Sequence, residues 1–159
     1  MFKLFNRSMV LVVLATYLLI NILSASEYND IIKKVFANKK LESIEGIWTK
    51  TLANQGPAGC VTMFYKDENE MFYQIHIDQC FVMGKITGKQ KKLSEYKYEG
   101  ENAVYFFNGD VNWGFSSIEI SKNLNKFTIT HNSNGNYFRE EWKRIWPKDL
   151  KNFNNPQKD

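Results

Sequence analysis

The sequence predicts an all-β protein, an antiparallel up-and-down meander of eight or nine strands that closes into a small barrel. Between residues 46 and 146 the chain is a series of short segments rich in Val, Ile, Thr, Phe, Tyr and Trp. Polar clusters such as 67–69, 99–102 and 108–110 separate these segments at intervals of ~8–12 residues, which is typical of a β-sandwich or barrel. The short connections pair neighbouring strands antiparallel, and closure removes the exposed edges of an open meander. A twisted two-sheet sandwich is the alternative architecture.

Residues 1–26 have the pattern of a secretory signal peptide. Lys3 and Arg7 precede an apolar run of 15 residues, 9–23, and small residues follow at 24–26. A helix needs ~20 apolar residues to span a bilayer, so a cleaved leader is favoured over an uncleaved anchor. We therefore expect an exported protein, periplasmic or secreted, that meets a membrane through this segment alone.

The charge balance argues against a nucleic-acid-binding protein. The chain of 159 residues has 21 basic and 17 acidic side chains, and two of the basic ones, Lys3 and Arg7, lie in the leader. The small positive balance that remains provides no clustered attraction for phosphates. The length is that of a single domain with one hydrophobic core.

Three regions follow the leader. Residues 27–44 are predicted to form a short helix and a lead-in, because apolar residues recur at helical spacing from Ile31 to Phe36. Residues 45–147 are the predicted barrel, and 148–159 lose the pattern and are expected to be an irregular tail, which Leu150 and Phe153 could hold against the domain. The nine candidate strands are 46–52, 60–66, 71–79, 81–87, 93–98, 103–107, 113–120, 126–130 and 137–146.

The two cysteines predict one disulfide. Cys60 and Cys80 both lie in the part of the chain that we expect to be exported, where oxidising conditions allow a bridge to persist. Closing a loop of this size stabilises a protein by ~3 kcal/mol in the chain-entropy model.

His76, Asp78 and Cys80 form the one local group that resembles a catalytic constellation. On a continuous strand His76 and Cys80 are ~13 Å apart, whereas a nucleophile and its base need ~2.6–3.2 Å. Cys80 therefore cannot reach His76 unless the chain bends sharply. A metal site built from His76 and Asp78, with His131 as a third ligand, competes with a solvated polar face, and the polar face is favoured. We expect neither an enzyme nor a cofactor, and a hydrolase or metal site at His76 and Asp78 is the minor alternative.

The aromatic content is larger than core filling requires. The chain has 12 Phe, 8 Tyr and 4 Trp, and Tyr and Trp combine a large apolar body with a polar atom, which suits a ligand cavity or a partner surface. The candidate ligand-binding residues are Tyr65, Tyr73, Tyr96, Tyr105, Phe107, Trp113 and Phe115.

Gly46-Ile47-Trp48 opens the first strand after a short helix, and a basic residue, Arg139 or Arg144, lies in the last strand. This order of elements resembles the lipocalin and fatty-acid-binding-protein superfamily, the calycins. In that superfamily the tryptophan of a Gly-x-Trp element packs at the closed end of the barrel near a late arginine. A guanidinium over an indole face is worth ~0.5–2 kcal/mol. The resemblance implies a barrel that carries its ligand inside.

Two functions remain. The first is an exported, non-enzymatic barrel that binds a small apolar or amphipathic molecule. The second is a protein-interaction or inhibitor module of the cell envelope that uses its outer surface, because the interior of a small barrel can be filled completely by side chains. The expected partner is therefore a small hydrophobic molecule or an envelope protein.

Overall fold

The computed structural model describes residues 28–54, 58–133 and 135–155. The predicted signal peptide and its cleavage point lie outside these residues. Residues 28–36 are helical (α1) and belong to a unit that ends at Lys39. In the described ranges, no helix combines the length and the apolar character needed to cross a membrane.

A second unit, which begins at Lys40, contains the barrel. Each strand pairs antiparallel with the next along the chain, and the last strand pairs with the first, so that the sheet is closed. This confirms the fold class and the meander order. The strands are β1 (Gly46–Ala53), β2 (Val61–Lys66), β3 (Phe72–Asp78), β4 (Ile86–Ser94), β5 (Lys97–Tyr105), β6 (Val111–Ile120), β7 (Lys126–Ser133) and β8 (Asn136–Trp146).

Side chains alternate between the inside and the outside of the closed sheet, as strand geometry requires. On β7, Phe127, Ile129, His131 and Ser133 are buried, whereas the residues between them are half-buried or exposed. The first two of these inward side chains are apolar and the last two are polar. The interior of the barrel is therefore apolar at one end and polar at the other.

Trp48, Phe64, Phe127 and Trp142 fill the apolar end, which we call the closed end. Trp48 on β1 is fully buried, and Phe127 meets it edge-on with ring centroids 4.8 Å apart. Phe64 also packs edge-on against Phe127 at 5.6 Å, and Trp142 stacks on Phe127 at 5.8 Å. Ring pairs with such geometries contribute ~0.5–1.5 kcal/mol each beyond the burial of their surface.

A buried arginine, Arg144, packs and forms hydrogen bonds at the closed end. The guanidinium carbon of Arg144 lies 3.9 Å from the centroid of the Trp48 ring, a cation–π contact. The same guanidinium donates hydrogen bonds to the backbone carbonyls of Ser43, Glu45 and Leu124. Burial lowers the pKa of Arg144 to about 9, so the group keeps its charge at neutral pH. This is the pairing of a first-strand tryptophan and a late arginine that the resemblance to calycins implies.

The backbone conformation at residue 46, two residues before Trp48, explains why a glycine is found there. Gly46 has a φ of +124°, which side chains rarely permit, and a Cβ there would collide with the backbone carbonyl oxygen of Trp146 and lie 2.9 Å from Nη1 of Arg144. The glycine of the Gly-x-Trp element therefore allows the start of β1 to approach the end of β8 and Arg144 closely. Arg139, the other candidate arginine, is exposed and pairs with Glu141, with Nη2 3.2 Å from Oε1.

Between residues 81 and 107 the predicted strand boundaries are wrong. The sequence predicts three strands and a turn at 99–102, whereas the structure has two longer strands, β4 and β5, with their turn at 95–96. The polar run fits a strand because Asn102 is hydrogen-bonded inside the barrel, and because a side chain at Gly100 would collide with a carbonyl of β4. An inward polar residue and a glycine hide the alternation from which strands are predicted.

The tail is not wholly irregular, contrary to the prediction. Leu150–Asn154 form a one-turn helix, α2, and the Asp149 side chain caps it by accepting a hydrogen bond from the backbone N–H of Asn152 at 3.0 Å. Leu150 is buried, and the Asn154 side chain exchanges two hydrogen bonds with the backbone of Leu41. This last described turn is therefore fixed to the lead-in of the barrel.

Candidate functional site

The polar end of the barrel contains a cavity of about 360 Å³. Volumes of ~300–1,000 Å³ are typical of small-molecule sites. The cavity lies on the same inward faces as the closed end, a few residues further along each strand. The lining includes the polar or charged side chains of Lys50, Gln74, His76, Gln79, Thr87, Asn102, His131 and Glu140.

Four buried polar side chains, Gln74, Gln90, Asn102 and Ser116, form a hydrogen-bonded polar layer. Asn102 Nδ2 donates to Gln74 Oε1 at 3.1 Å, and Gln90 Nε2 donates to Asn102 Oδ1 at 2.7 Å and to Ser116 Oγ at 2.8 Å. Gly88 leaves room for this layer, because a Cβ there would lie 2.8 Å from Asn102 Oδ1. Gln74 and Asn102 also face the cavity, so the polar layer is its floor. A network that satisfies its members rigidifies such a floor.

A charged pair crosses from β1 to β8 in the cavity wall. Lys50 Nζ lies 3.0 Å from Glu140 Oε1, and the two side chains are only 10% and 14% exposed. Glu140 Oε2 also accepts a hydrogen bond from Trp142 Nε1 at 3.1 Å. The ammonium and the carboxylate neutralise each other, so the pair adds polarity to the cavity without adding net charge.

Both histidines of the chain line the cavity, and both are neutral at neutral pH. Burial lowers the pKa of His76 to about 4, with a further lowering by Lys50 and an opposing effect of Glu140. Burial likewise lowers the pKa of His131, with the same two neighbours acting in the same directions. Desolvation disfavours the protonated imidazole, which is why burial has this sign.

Two buried polar atoms at this end have no hydrogen-bond partner among the described residues: His131 Nδ1 and Ser133 Oγ. The His131 ring stacks on Phe138, with centroids 4.5 Å apart and an angle of 11° between the ring planes. Buried polar atoms are nearly always paired in native proteins. This buried nitrogen therefore marks a place where the polar end leaves hydrogen-bonding capacity unused among the described residues.

The predicted disulfide between Cys60 and Cys80 is confirmed, with the two Cα atoms 4.6 Å apart. Such a bond indicates an oxidising environment. β3 ends at Asp78, and Gln79 turns the chain with a φ of +52°. Because of this bend, the two sulfurs and a ring nitrogen of His76 all lie within 4.8 Å of one another. The ~13 Å expected of a continuous strand does not apply here, and Asp78 is not part of the group.

Aromatic rings stand at the mouth of the cavity. Phe81, from the loop after β3, and Phe107, from the loop after β5, meet edge-on with centroids 4.6 Å apart. They are 60% and 94% exposed, and both line the cavity. Val82, Val104 and Tyr105 continue the apolar lining inward. The cavity thus passes from an aromatic mouth to a polar floor.

The structure places two of the seven candidate ligand-binding residues on the cavity, Tyr105 and Phe107. Tyr65 and Tyr73 stack on each other across β2 and β3, with centroids 5.7 Å apart. The five that do not line it are Tyr65, Tyr73, Tyr96, Trp113 and Phe115.

Trp113 and Phe115 miss the cavity because they lie on the outward face of β6. Ser116, Ile118 and Ile120 are the buried residues of that strand, and Phe115 is 61% exposed. Lys89 Nζ lies 4.6 Å from the centroid of the Trp113 ring on the outside of the barrel. The sequence does not tell which face of a strand points inward when both faces carry apolar residues.

Sequence reasoning missed the charged pair and the polar layer. One signal could have found the pair: Trp48 and Trp142 are the strongest core candidates of β1 and β8, and Lys50 and Glu140 lie two residues from them. Residues two apart on a strand share a face. For Gln74, Gln90 and Asn102, the sequence carries no comparable signal. Nothing in it distinguishes an amide side chain that points into the barrel from one that points to solvent.

A scan against protein-family models and searches of curated proteins and of solved structures found no match for this chain.

Proposed function

We propose that this protein is an exported, non-enzymatic β-barrel that holds one small amphipathic molecule in its interior. The observation that carries the proposal is the cavity of about 360 Å³ with a polar floor and an aromatic mouth. An eight-stranded barrel has an interior that side chains just fill, or that holds one small ligand. Here the inward side chains fill the closed end and leave space at the polar end, which favours the second case.

The charges of the lining favour an uncharged polar group on the ligand. Lys50 is paired with Glu140, and lowered pKa values keep His76 and His131 neutral at neutral pH. A carboxylate or an ammonium would enter without an unpaired countercharge among the described lining residues. Burying such a charge is costly. We expect a hydroxyl, amide or carbonyl group near His131, with the apolar part of the ligand toward the mouth.

Export and a relationship to the calycins belong to the same proposal. The pattern of residues 1–26 and the Cys60–Cys80 bond support export. The Gly46–Trp48 element and the contact of Arg144 with Trp48 support the relationship. The absence of an enzymatic role is supported by the disulfide, since it removes the thiol that the His76–Cys80 constellation would need as a nucleophile.

The test of ligand binding uses a fluorescent neutral probe, N-phenylnaphthylamine, displaced by decanol, decanamide, decanoate or decylamine. The neutral competitors should displace the probe at least ~10-fold more effectively than the charged ones, because every buried unpaired charge costs more than ~1.4 kcal/mol. Native mass spectrometry of protein purified from its own host should reveal a bound molecule without net charge. Equal displacement by decanoate would contradict the neutral head group while leaving ligand binding intact.

A matched pair of variants locates the site. Val104 lines the cavity, whereas Thr130 lies on the outward face of β7. Val104→Trp should fill the cavity and weaken probe binding at least ~10-fold, the effect of losing a contact of ~1.4 kcal/mol. Thr130→Trp adds the same side chain outside and should leave binding unchanged. Equal binding of the probe by both variants would place the probe outside the barrel and contradict the proposal.

A second candidate function is protein interaction through the outer surface. Trp113 and Phe115 expose 39% and 61% of their surface on β6, and aromatic side chains, tryptophan in particular, are enriched in protein interfaces. The partner in this case is an envelope protein. Phe115→Ser should then abolish binding of the partner, whereas Val104→Trp should not. The reverse result would assign the activity to the cavity.

A further inference from the structure

Three potential metal ligands meet in the cavity wall. The sulfurs of Cys60 and Cys80 and a ring nitrogen of His76 lie within 4.8 Å of one another, and all three residues line the cavity. In the oxidised protein the sulfurs are bonded to each other. We propose that reduction of this bond creates a site for a divalent metal ion such as Zn²⁺, held by two thiolates and one imidazole.

The donor set matches zinc chemistry. Zinc in proteins is tetrahedral, with Zn–S distances of ~2.3 Å and Zn–N distances of ~2.0–2.1 Å. Such a tetrahedron separates its donor atoms by ~3.5–3.8 Å. The three donors already lie within 4.8 Å of one another, and breaking the S–S bond frees the sulfurs to part. Rotation of side chains is therefore sufficient to close the site.

A backbone carbonyl sets the tautomer of the imidazole. His76 Nδ1 lies 3.2 Å from the carbonyl oxygen of Val82. Because a carbonyl can only accept, the proton of the neutral ring is on Nδ1, and Nε2 carries the free lone pair. Metal-bound histidines usually have such an outer partner for the second nitrogen. A metal ion at this site would therefore bind Nε2, while Nδ1 keeps its contact with Val82.

Two further carbonyls surround one of the sulfurs. The Sγ atom of Cys80 lies 3.0 Å from the carbonyl oxygen of Asp78 and 3.3 Å from that of Val61. In the reduced protein these oxygens can accept the thiol proton of Cys80, which the metal ion displaces when it binds the sulfur. The protein would supply three ligands, and the fourth position would face the cavity, as in open zinc sites.

The redox step balances with a dithiol reductant. The reductant transfers two electrons and two protons to the Cys60–Cys80 bond, which becomes two thiols, and the reductant itself becomes a disulfide. Zn²⁺ then displaces the two thiol protons as it binds both thiolates and His76. Oxidation therefore abolishes the metal site and reduction forms it. The site does not depend on the small-molecule ligand.

Titration with Co²⁺ tests the proposal, because thiolate-to-cobalt absorption reports sulfur ligation directly. The full-length protein, reduced with a dithiol, should bind one Co²⁺ with this absorption, and Zn²⁺ should displace it. The oxidised protein should show no thiolate absorption. His76→Ala should weaken binding by at least ~10-fold, since loss of even an outer-shell partner costs ~10–100-fold.

His131→Ala is the matched control, because it removes the other cavity histidine, which lies outside the group of three donors. It should leave the affinity for Co²⁺ unchanged. Equal losses in both histidine variants, or equal binding by oxidised and reduced protein, would overturn the site. If reduction unfolds the barrel, recovery of its near-ultraviolet circular dichroism on addition of Zn²⁺ supports the site, and unfolding that Zn²⁺ does not reverse refutes it.

Discussion

The closed end and the polar end of the barrel are built by the same strands. β1 contributes Trp48 to the closed end and Lys50, two residues later, to the cavity. β8 contributes Trp142 and Glu140 in the same way. Two residues span ~7 Å along a strand, so this short step separates tightly packed rings from a lined cavity.

The difference shows where this fold gains stability and where it gives some up. Rings and a well-partnered arginine fill the closed end. The polar end holds a largely buried ion pair, two neutral histidines, an unfilled volume and two polar atoms that have no partner among the described residues. Such features cost stability and are concentrated at functional sites. We therefore expect substitutions at the two ends to change the free energy of unfolding by different amounts, and in some cases in opposite directions.

The largest effect is expected at the closed end. Trp48→Ala removes a fully buried ring that packs on Phe127 and Arg144, and it should lower the free energy of unfolding by ~3–5 kcal/mol. Phe138→Ala, at the cavity, should cost less than half as much, because its ring is only half-buried. Urea denaturation measures both. Equal losses would remove the distinction between the two ends.

The charged pair of the cavity should have an intermediate effect. Lys50→Met leaves Glu140 without its cation and should cost ~2–3 kcal/mol, somewhat below the ~3–5 kcal/mol typical of a fully enclosed pair. The double variant Lys50→Met with Glu140→Met should recover most of this loss, since no unpaired charge then remains. Lys66→Met is the control: its partner Glu70 is 78% exposed, and the change should cost ~0.5 kcal/mol or less. A double variant as unstable as Lys50→Met would show that the pair itself stabilises the wall.

The smallest effect should have the opposite sign. Ser133→Ala removes a buried hydroxyl that has no described partner, and it should raise the free energy of unfolding by up to ~1 kcal/mol. Ser116→Ala removes a hydroxyl that is hydrogen-bonded to Gln90, and it should lower the free energy of unfolding by ~1–2 kcal/mol. Thermal and urea unfolding of the two variants distinguish them. A loss of stability on Ser133→Ala would mean that its hydroxyl is paired in solution.

Most of the fold could be predicted because apolar alternation and turn chemistry act locally. The predicted strands agree with β1, β2, β3, β6 and β8 to within about two residues, and β7 extends three residues further than predicted. Prediction failed between residues 81 and 107, where Gly88 and Asn102 serve the polar layer and Gly100 lies against the backbone of β4. Local pattern rules do not recognise inward amides and glycines that make room for them.

The candidate site could be predicted only in part. An internal site was inferred from the aromatic content, yet only Tyr105 and Phe107 of the seven aromatic candidates line the cavity. The register of each strand decides which face points inward, and bulges such as the one between Lys50 and Leu52 shift it. The approach of Cys80 to His76 depends on a single residue in the left-handed backbone conformation, Gln79. No periodic pattern in the sequence predicts such a conformation.

Closure of the sheet also decides how another macromolecule can recognise this protein. Each of the eight strands has a hydrogen-bonded neighbour on both sides. A peptide therefore cannot dock by adding itself as a ninth strand, and stacked copies cannot grow into a fibril from the folded state. Any partner must read side chains and loops, so its binding should be lost through point substitutions on the surface rather than through proline substitutions in its own backbone.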